Sequence, residues 1–259
     1  MSKKSVSIIG FGHFGRVLYR LLKEDFSITI FQRRPITDWA PSNTSTKVAI
    51  SIEEAMESEI IFFCTPIETF AQVIHDCKKF FKKDQLLIDV LSVKTWPAKV
   101  FLKELSGTKT RAMLTHPMFG PDSSRNGFKD LPIVMDQFTA TNEEYKFWQD
   151  LFTNKGLNVI HMTPKEHDKT IAHTQALTHL IGRLLDAMNT RSSRIDTSTF
   201  KLLLQVKEVV CRDTLQLFDN MHQFNPHTAR MRKKLKREMN QLLNKLEKSS
   251  DTITKGENI

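Results

Sequence analysis

Three glycines open the chain's chemistry. Gly10-Phe11-Gly12-His13-Phe14-Gly15 has the G-x-G-x-x-G spacing that lets a backbone approach a pyrophosphate when it follows a strand and begins a helix. Gly10 would make the tight turn, Gly12 the close approach and Gly15 the close packing of helix on strand. His13 and Phe14 fall in the first helical turn, whose amides favour a phosphate. An NAD site usually places an acid at the end of the second strand, about 20 residues past the loop. This chain has Gln32, Arg33 and Arg34 there. Two guanidinium groups suit a 2′-phosphate, which predicts NADP over NAD with NAD left open. His116, in Thr115-His116-Pro117-Met118-Phe119-Gly120-Pro121, follows a strand run and so stands at the carboxyl edge of the sheet, where ligands bind in open α/β folds.

These residues need a scaffold. Short apolar runs at Val6–Ile9, Ile28–Phe31, Lys47–Ser51, Ile60–Cys64, Leu86–Val90 and Ala112–Thr115 read as buried strands. The helical patterns between them, at Phe14–Leu22, Thr69–Phe81 and Trp96–Leu105, make βαβ units and a mostly parallel sheet. Pro132–Met135 and Asn158–Met162 add strands around a helix through Glu143–Phe152. After Pro164 the pattern is helical throughout, over 166–188, 199–218 and from Pro226 to about Leu246. The expected organisation is a Rossmann-type α/β domain over 1–163, an all-helical domain over 164–248 and a frayed polar tail over 249–259.

Composition excludes several classes. Hydrophobic residues make up 40% and charged residues 26% of 259 residues, the balance of a soluble globular protein. No apolar run approaches the roughly 20 residues that cross a bilayer, and no leader pattern precedes the first strand, so neither membrane insertion nor secretion is expected. Cys64, Cys77 and Cys211 are odd in number and widely spaced, which argues against disulfides and a zinc site and for a reducing cytoplasm. The net charge is +9, and six basic residues fall in Arg230–Arg237. That cluster is read as a solvated helix face rather than a nucleic-acid surface, with Met231, Leu235, Met239, Leu242 and Leu246 turned toward a partner helix.

With the His116 string in view, the sequence resembles the prephenate/arogenate dehydrogenase family. The resemblance runs from about residue 5 to 230. Asp89-Val90-Leu91-Ser92-Val93-Lys94 is similar to the family's D-x-x-S-V-K, and Glu166-His167-Asp168 with Gln175-Ala176-Leu177-Thr178-His179 to its E-H-D…Q-A-L-x-H. Cys64-Thr65-Pro66 resembles the turn bordering the nicotinamide. The 121–132 stretch looks plant-type, the 175–179 stretch bacterial.

The resemblance implies oxidative decarboxylation of a cyclohexadienol on the route to tyrosine. A base is required at the ring hydroxyl, and a neutral histidine suits it. It implies His116 as that base. It implies that Ser92 either bonds the hydroxyl or holds the His116 tautomer, and that His179, with Gln175 on the same helix face, binds the substrate side chain. His167 and Asp168 read as structural. Arg212 aligns loosely with the family's ring-carboxylate arginine. Asp213 aligns with an acid that accompanies arogenate, so arogenate is slightly favoured over prephenate. A homodimer through the helical domain is expected, as is a monofunctional enzyme without a fused mutase or regulatory domain. Two other readings stay open: another Rossmann-plus-helical hydroxy-acid dehydrogenase, and a non-catalytic NADP-binding protein with a basic partner surface.

Overall fold

Runs of four or five apolar, mostly β-branched or aromatic residues can bury both faces only inside a layered sheet. In a computed structural model that describes residues 3–41 and 44–256, these runs form one eight-stranded sheet. The elements are β1 (Ser5–Ile9), α1 (His13–Leu22), β2 (Ser27–Phe31), β3 (Thr46–Val48), α2 (Ile52–Ala55), β4 (Ile60–Phe63), α3 (Ile67–Cys77), β5 (Leu86–Asp89) and α4 (Thr95–Glu104). They continue with β6 (Arg111–Pro117), β7 (Pro132–Asp136), α5 (Asn142–Asn154), β8 (Asn158–His161), α6 (Pro164–His173), α7 (Gln175–Ala187), α8 (Ser198–Arg212), α9 (Leu215–Phe224) and α10 (Thr228–Gly256).

The strand order is β3-β2-β1-β4-β5-β6-β7-β8. Neighbours from β3 through β6 pair in parallel, β7 runs antiparallel to β6, and β8 is parallel to β7. Connections reverse direction between β1 and β4, which makes the crevice beyond their carboxyl ends the ligand position of a doubly wound sheet. Every residue of β4 and β5 is buried. Trp148 of α5 is fully buried and stacks on Phe26, ring centroids 5.4 Å apart. A capping box between Thr141 and Glu144 starts that helix.

The chain divides into two compact units, Met1–Asp168 and Lys169–Ile259, so the division falls within α6. In the second unit α7 packs on α8 and α9, and α9 on α10.

Three helical expectations need correction. The helix expected over 166–188 breaks at Thr174, whose φ of −115° and ψ of −91° are not helical. The Thr174 and Thr178 hydroxyls donate to the carbonyls four residues back, at 3.0 Å each, a contact that bends helices. The helix expected over 199–218 stops at Arg212. Asp213 is extended, and the Thr214 hydroxyl accepts from the Leu217 amide to begin α9. The third helix does not end near Leu246 but runs to Gly256, because no Pro or Gly intervenes and its Lys, Glu and Leu residues favour helix. Of the tail expected to fray, only 257–259 lie outside the described residues.

Candidate active site

The glycine loop follows β1 directly. Gly10 has a φ of 98°, a left-handed conformation that glycine adopts without strain, and its amide donates to the Phe31 carbonyl at 2.8 Å. A Cβ on Gly10 would collide with the Cys64 carbonyl, and one on Gly15 with the Gly10 carbonyl. Gly12 is different: a Cβ there would meet nothing within 4 Å. The fold itself does not require glycine at 12, whereas a pyrophosphate drawn close to this backbone would. Gly12 also begins α1 with no side-chain cap, leaving the first-turn amides to an anion.

Across the crevice, the Cys64 amide donates to the Ile9 carbonyl at 2.7 Å, and Pro66 starts α3. The Thr65 hydroxyl between them is buried without a hydrogen-bond partner. Burial pushes the Cys64 thiol up, with Asp89 adding to the effect, so it stays protonated. Gln32 is half-buried beyond β2, and Arg33 and Arg34 are exposed. This cradle fits a nicotinamide dinucleotide, which Gly10, Gly12, Gly15 and the α1 amides would hold. From α1, Arg20 reaches the segment after His116, where its Nη2 donates to the Ser124 hydroxyl at 2.8 Å and carbonyl at 3.0 Å. Phe14 packs near Phe119, ring centroids 6.3 Å apart.

His116 lies near the carboxyl end of β6 and is 4% exposed. Its Nδ1 is 2.8 Å from the Nε2 of His167, and the His167 Nδ1 is 2.9 Å from the Asp168 Oδ1. The same carboxylate accepts from the Lys94 amide at 2.7 Å and the Thr95 amide at 2.9 Å. His167 and Asp168 are wholly buried. Burial raises the Asp168 carboxyl, but the hydrogen bonds from His167, Thr95 and the two amides outweigh it and hold the group below its ordinary value.

An ionised Asp168 can only accept, so the proton on His167 sits on Nδ1. His167 Nε2 is then an acceptor, His116 Nδ1 must carry the hydrogen between them, and His116 Nε2 is left as a bare base. Burial, and secondarily His167 and Lys94, hold His116 well below the ordinary histidine value, so the ring is neutral near pH 7.

Ser92 does not hold that tautomer. His167 occupies the Nδ1 side, while the Ser92 hydroxyl is buried and without a partner. Beneath them lies a buried ion pair. Lys94 Nζ donates to Asp89 and to the Thr115 carbonyl, and Asp89 also accepts from the Leu91 amide at 3.0 Å. Burial pushes the Asp89 carboxyl up and the Lys94 ammonium down, and their contact opposes both shifts.

The second unit carries the other sequence-derived residues. Gln175 and His179 share a face of α7, and His179 Nε2 is 3.7 Å from the Asp213 Oδ2. Asp213 follows α8 with its carboxylate about half exposed. Arg212 ends α8, 54% exposed and paired with Glu208 at 2.6 Å. The cation beside His179 and Asp213 is instead Arg183, whose Nη2 donates to the Asp213 carbonyl. Among the described residues no group of acidic, cysteine and histidine side chains could hold a metal, and no helix is long and apolar enough to cross a membrane.

Sequence reading missed the relay through His167 and Asp168 and the place of Arg183. The available signal was the adjacent His167-Asp168 pair in a string already notable for its resemblance.

Comparison with known proteins agrees with this architecture. Residues 42–161 match the prephenate dehydrogenase nucleotide-binding domain, and 184–258 the TYRAAT1-like C-terminal domain. Arogenate dehydrogenase 1, chloroplastic, of Arabidopsis thaliana is 30% identical over 235 residues, covering 87% of this chain and 36% of that protein. Arogenate dehydrogenase 2, chloroplastic, of the same plant is 27% identical over 243 residues, or 90% of this chain and 67% of that protein. The chain thus spans about a third of the first relative and two thirds of the second. Prephenate dehydrogenase from A. aeolicus, solved with hydroxyphenyl propionate and NAD+, superposes with a TM-score of 0.74 at 16% identity, covering 97% of this chain and 93% of that one. Synechocystis arogenate dehydrogenase gives 0.67 at 18% identity, covering 95% and 93%. The two domain matches fall in order on the two units, and the aligned relatives run through both. The chain belongs to the prephenate/arogenate dehydrogenase family.

Proposed function

We propose that the protein catalyses NADP-dependent oxidative decarboxylation of arogenate to tyrosine. The observation that carries this reading is the chain from His116 through His167 to Asp168, which presents a neutral imidazole with a bare Nε2 at the carboxyl edge of a dinucleotide-binding sheet.

In the proposed reaction the ring hydroxyl gives its proton to His116 Nε2, and the carbon bearing it loses hydride. The C–C bond to the ring carboxylate breaks, carbon dioxide leaves, and its electron pair completes the aromatic ring. A nicotinamide dinucleotide bound at the glycine loop supplies the hydride acceptor. His116 enters neutral, becomes imidazolium as it takes the proton and returns that proton to the phenolate oxygen of the aromatic product, so no net proton is released; His167 and Asp168 keep the receiving nitrogen oriented throughout. The unpartnered Ser92 hydroxyl, in the string that follows β5, is assigned to hydrogen-bond the reacting hydroxyl. Aromaticity supplies much of the driving force, so positioning and proton removal are what the protein must add.

Arg33 and Arg34 support NADP, because exposed guanidinium groups at the end of β2 suit a 2′-phosphate. Asp213 supports arogenate, because an acid near His179 suits an ammonium group that prephenate lacks. The exposed apolar side chains Leu184, Met188, Leu202, Val209 and Leu215 in the helical unit support a homodimer formed through it. The deciding experiment follows reduced-cofactor absorbance with arogenate and prephenate, each with NAD and NADP. Turnover fastest with arogenate and NADP is expected. Absence of turnover in all four combinations would defeat the enzymatic reading.

A further inference from the structure

The proposed reaction makes no use of Asp89 or Lys94, a carboxylate and an ammonium group both buried in the first unit. Their place in the sheet gives them a task. β5 and β6 pair in parallel only as far as Asp89 and Leu114. There β5 ends and the chain runs through Ser92 to α4, while β6 continues through Thr115, His116 and Pro117 with β7 on its other side. The last residues of β6 are therefore no longer flanked by β5, and side chains fill the gap. Asp89 Oδ1 accepts from the Thr115 amide at 3.3 Å, the Asp89 carbonyl accepts from the Thr115 hydroxyl at 2.6 Å, and Lys94 Nζ donates to the Thr115 carbonyl. That carbonyl belongs to the peptide bond whose nitrogen is that of His116. Asp89 Oδ2 accepts from Lys94 Nζ and from the Leu91 amide at 3.0 Å, one residue before Ser92.

Lys94 is held at both ends. Its amide donates at 2.7 Å to Asp168 Oδ1, the oxygen that faces His167 Nδ1, and its ammonium group grips the peptide that carries His116. The contacts close a ring: His116 to His167, His167 to Asp168, Asp168 to Lys94, and Lys94 through Thr115 back to His116. All five residues are buried. In a closed ring no member can shift without straining two contacts, so the network is stiffer than an open chain of the same bonds.

We propose that Lys94, paired with Asp89, is a positioning residue: it fixes the His116 ring, and through Asp89 and Leu91 the Ser92 turn, at the separation at which both meet one substrate hydroxyl. This assignment rests on the reading of His116 as the base. Misplacement of reacting groups by about 1 Å can cost about 100-fold in rate, so the loss of such a strap would appear in turnover. A pair kept for stability alone behaves differently. Removing one partner strands the other charge, whereas neutralising both is often tolerated.

The test uses the full chain, with the thermal midpoint, kcat and KM measured for the substrate and cofactor that the wild type turns over fastest. Lys94→Met keeps the side chain long, strands the Asp89 carboxylate, and should lower both the midpoint and kcat. Adding Asp89→Asn removes the stranded charge and keeps an acceptor for the Leu91 amide. The double variant should recover the midpoint to within a few degrees, while kcat stays ~10- to 100-fold below wild type and KM changes only a few-fold. A kcat that follows the midpoint through both variants, low with it and restored with it, would overturn the assignment. So would a KM that rises as far as kcat falls, the sign of direct substrate contact. Failure of the base reading shows elsewhere, as near-normal kcat in His116→Asn. Failure of the Lys94 assignment leaves that variant impaired.

Discussion

His167 Nε2 lies 2.8 Å from His116 Nδ1, and this one contact decides which nitrogen of His116 can act as a base. The direction of the hydrogen between the rings is imposed from Asp168, whose carboxylate can only accept. His116→Asn removes the base while keeping a polar side chain, and kcat should fall by ~10² or more. Near-normal kcat in a folded variant, measured by cofactor reduction with arogenate, would remove His116 from the chemistry.

In the proposed mechanism His167 positions His116, and its variants separate orientation from mere packing. His167→Phe deletes the acceptor for His116 Nδ1–H, and kcat should drop ~10-fold or more with little change in KM. His167→Gln offers a carbonyl oxygen in its place and should recover part of the rate. Burial is the main reason the His116 value is low, with His167 next. Relieving the second contribution in His167→Gln should therefore move the acid limb of kcat/KM toward higher pH. A pH profile identical to wild type would show that His167 only fills space.

Stability should depend on pH in a direction fixed by the same rings. His116, His167, His179 and His222 all have values lowered below 6.5, burial being the largest cause for each. Below pH 6.5 the unfolded chain takes up protons that the folded chain refuses, so stability falls as pH drops toward the folded values. The thermal midpoint should decline between pH 7 and pH 5, and less steeply in His116→Asn. A midpoint constant over that range would contradict the burial of these rings as neutral groups.

Two glycine substitutions should part company. Gly10→Ala forces a side chain against the Cys64 carbonyl at a φ of 98° and should lower both stability and cofactor affinity. Gly12→Ala meets nothing in the protein, so its melting midpoint should stay near wild type while cofactor affinity falls. Equal affinity for NADP in wild type and Gly12→Ala would show that no phosphate comes near that residue.

The arginine pair makes a narrower claim. Replacing Arg33 and Arg34 together by serine should raise KM for NADP by ~10-fold or more and leave KM for NAD nearly unchanged, the mark of two lost charge-assisted hydrogen bonds. Parallel changes with both cofactors would reject the 2′-phosphate role.

The sheet was legible in the sequence because its signal is local. Runs such as Ile60–Phe63 and Leu86–Asp89 announce a buried strand within four residues. The helix breaks at Thr174 and at Asp213-Thr214 were not, because apolar spacing continues across them and only hydroxyl contacts with nearby backbone groups end the helix. The relay was hidden for another reason. His116 and His167 are 51 positions apart, and Asp168 beside a helix start reads equally well as a dipole partner. Arg183 lacked any motif, and its place follows only from the packing that Gly182 allows against Val210.

Asp168 also finishes an element far from it in sequence. The first turn of α4 has no side-chain cap from its own N-cap residue, Lys94, and instead receives a carboxylate from 74 positions downstream. Closing so long a loop comes late on a folding path. A ribosome must therefore have made the whole of the first unit, which ends at Asp168, before α4 receives this cap and His116 acquires the tautomer that leaves its Nε2 bare. The nascent chain can assemble β1 to β5 and the glycine cradle well before the hydrogen bonds that fix the His116 ring are in place.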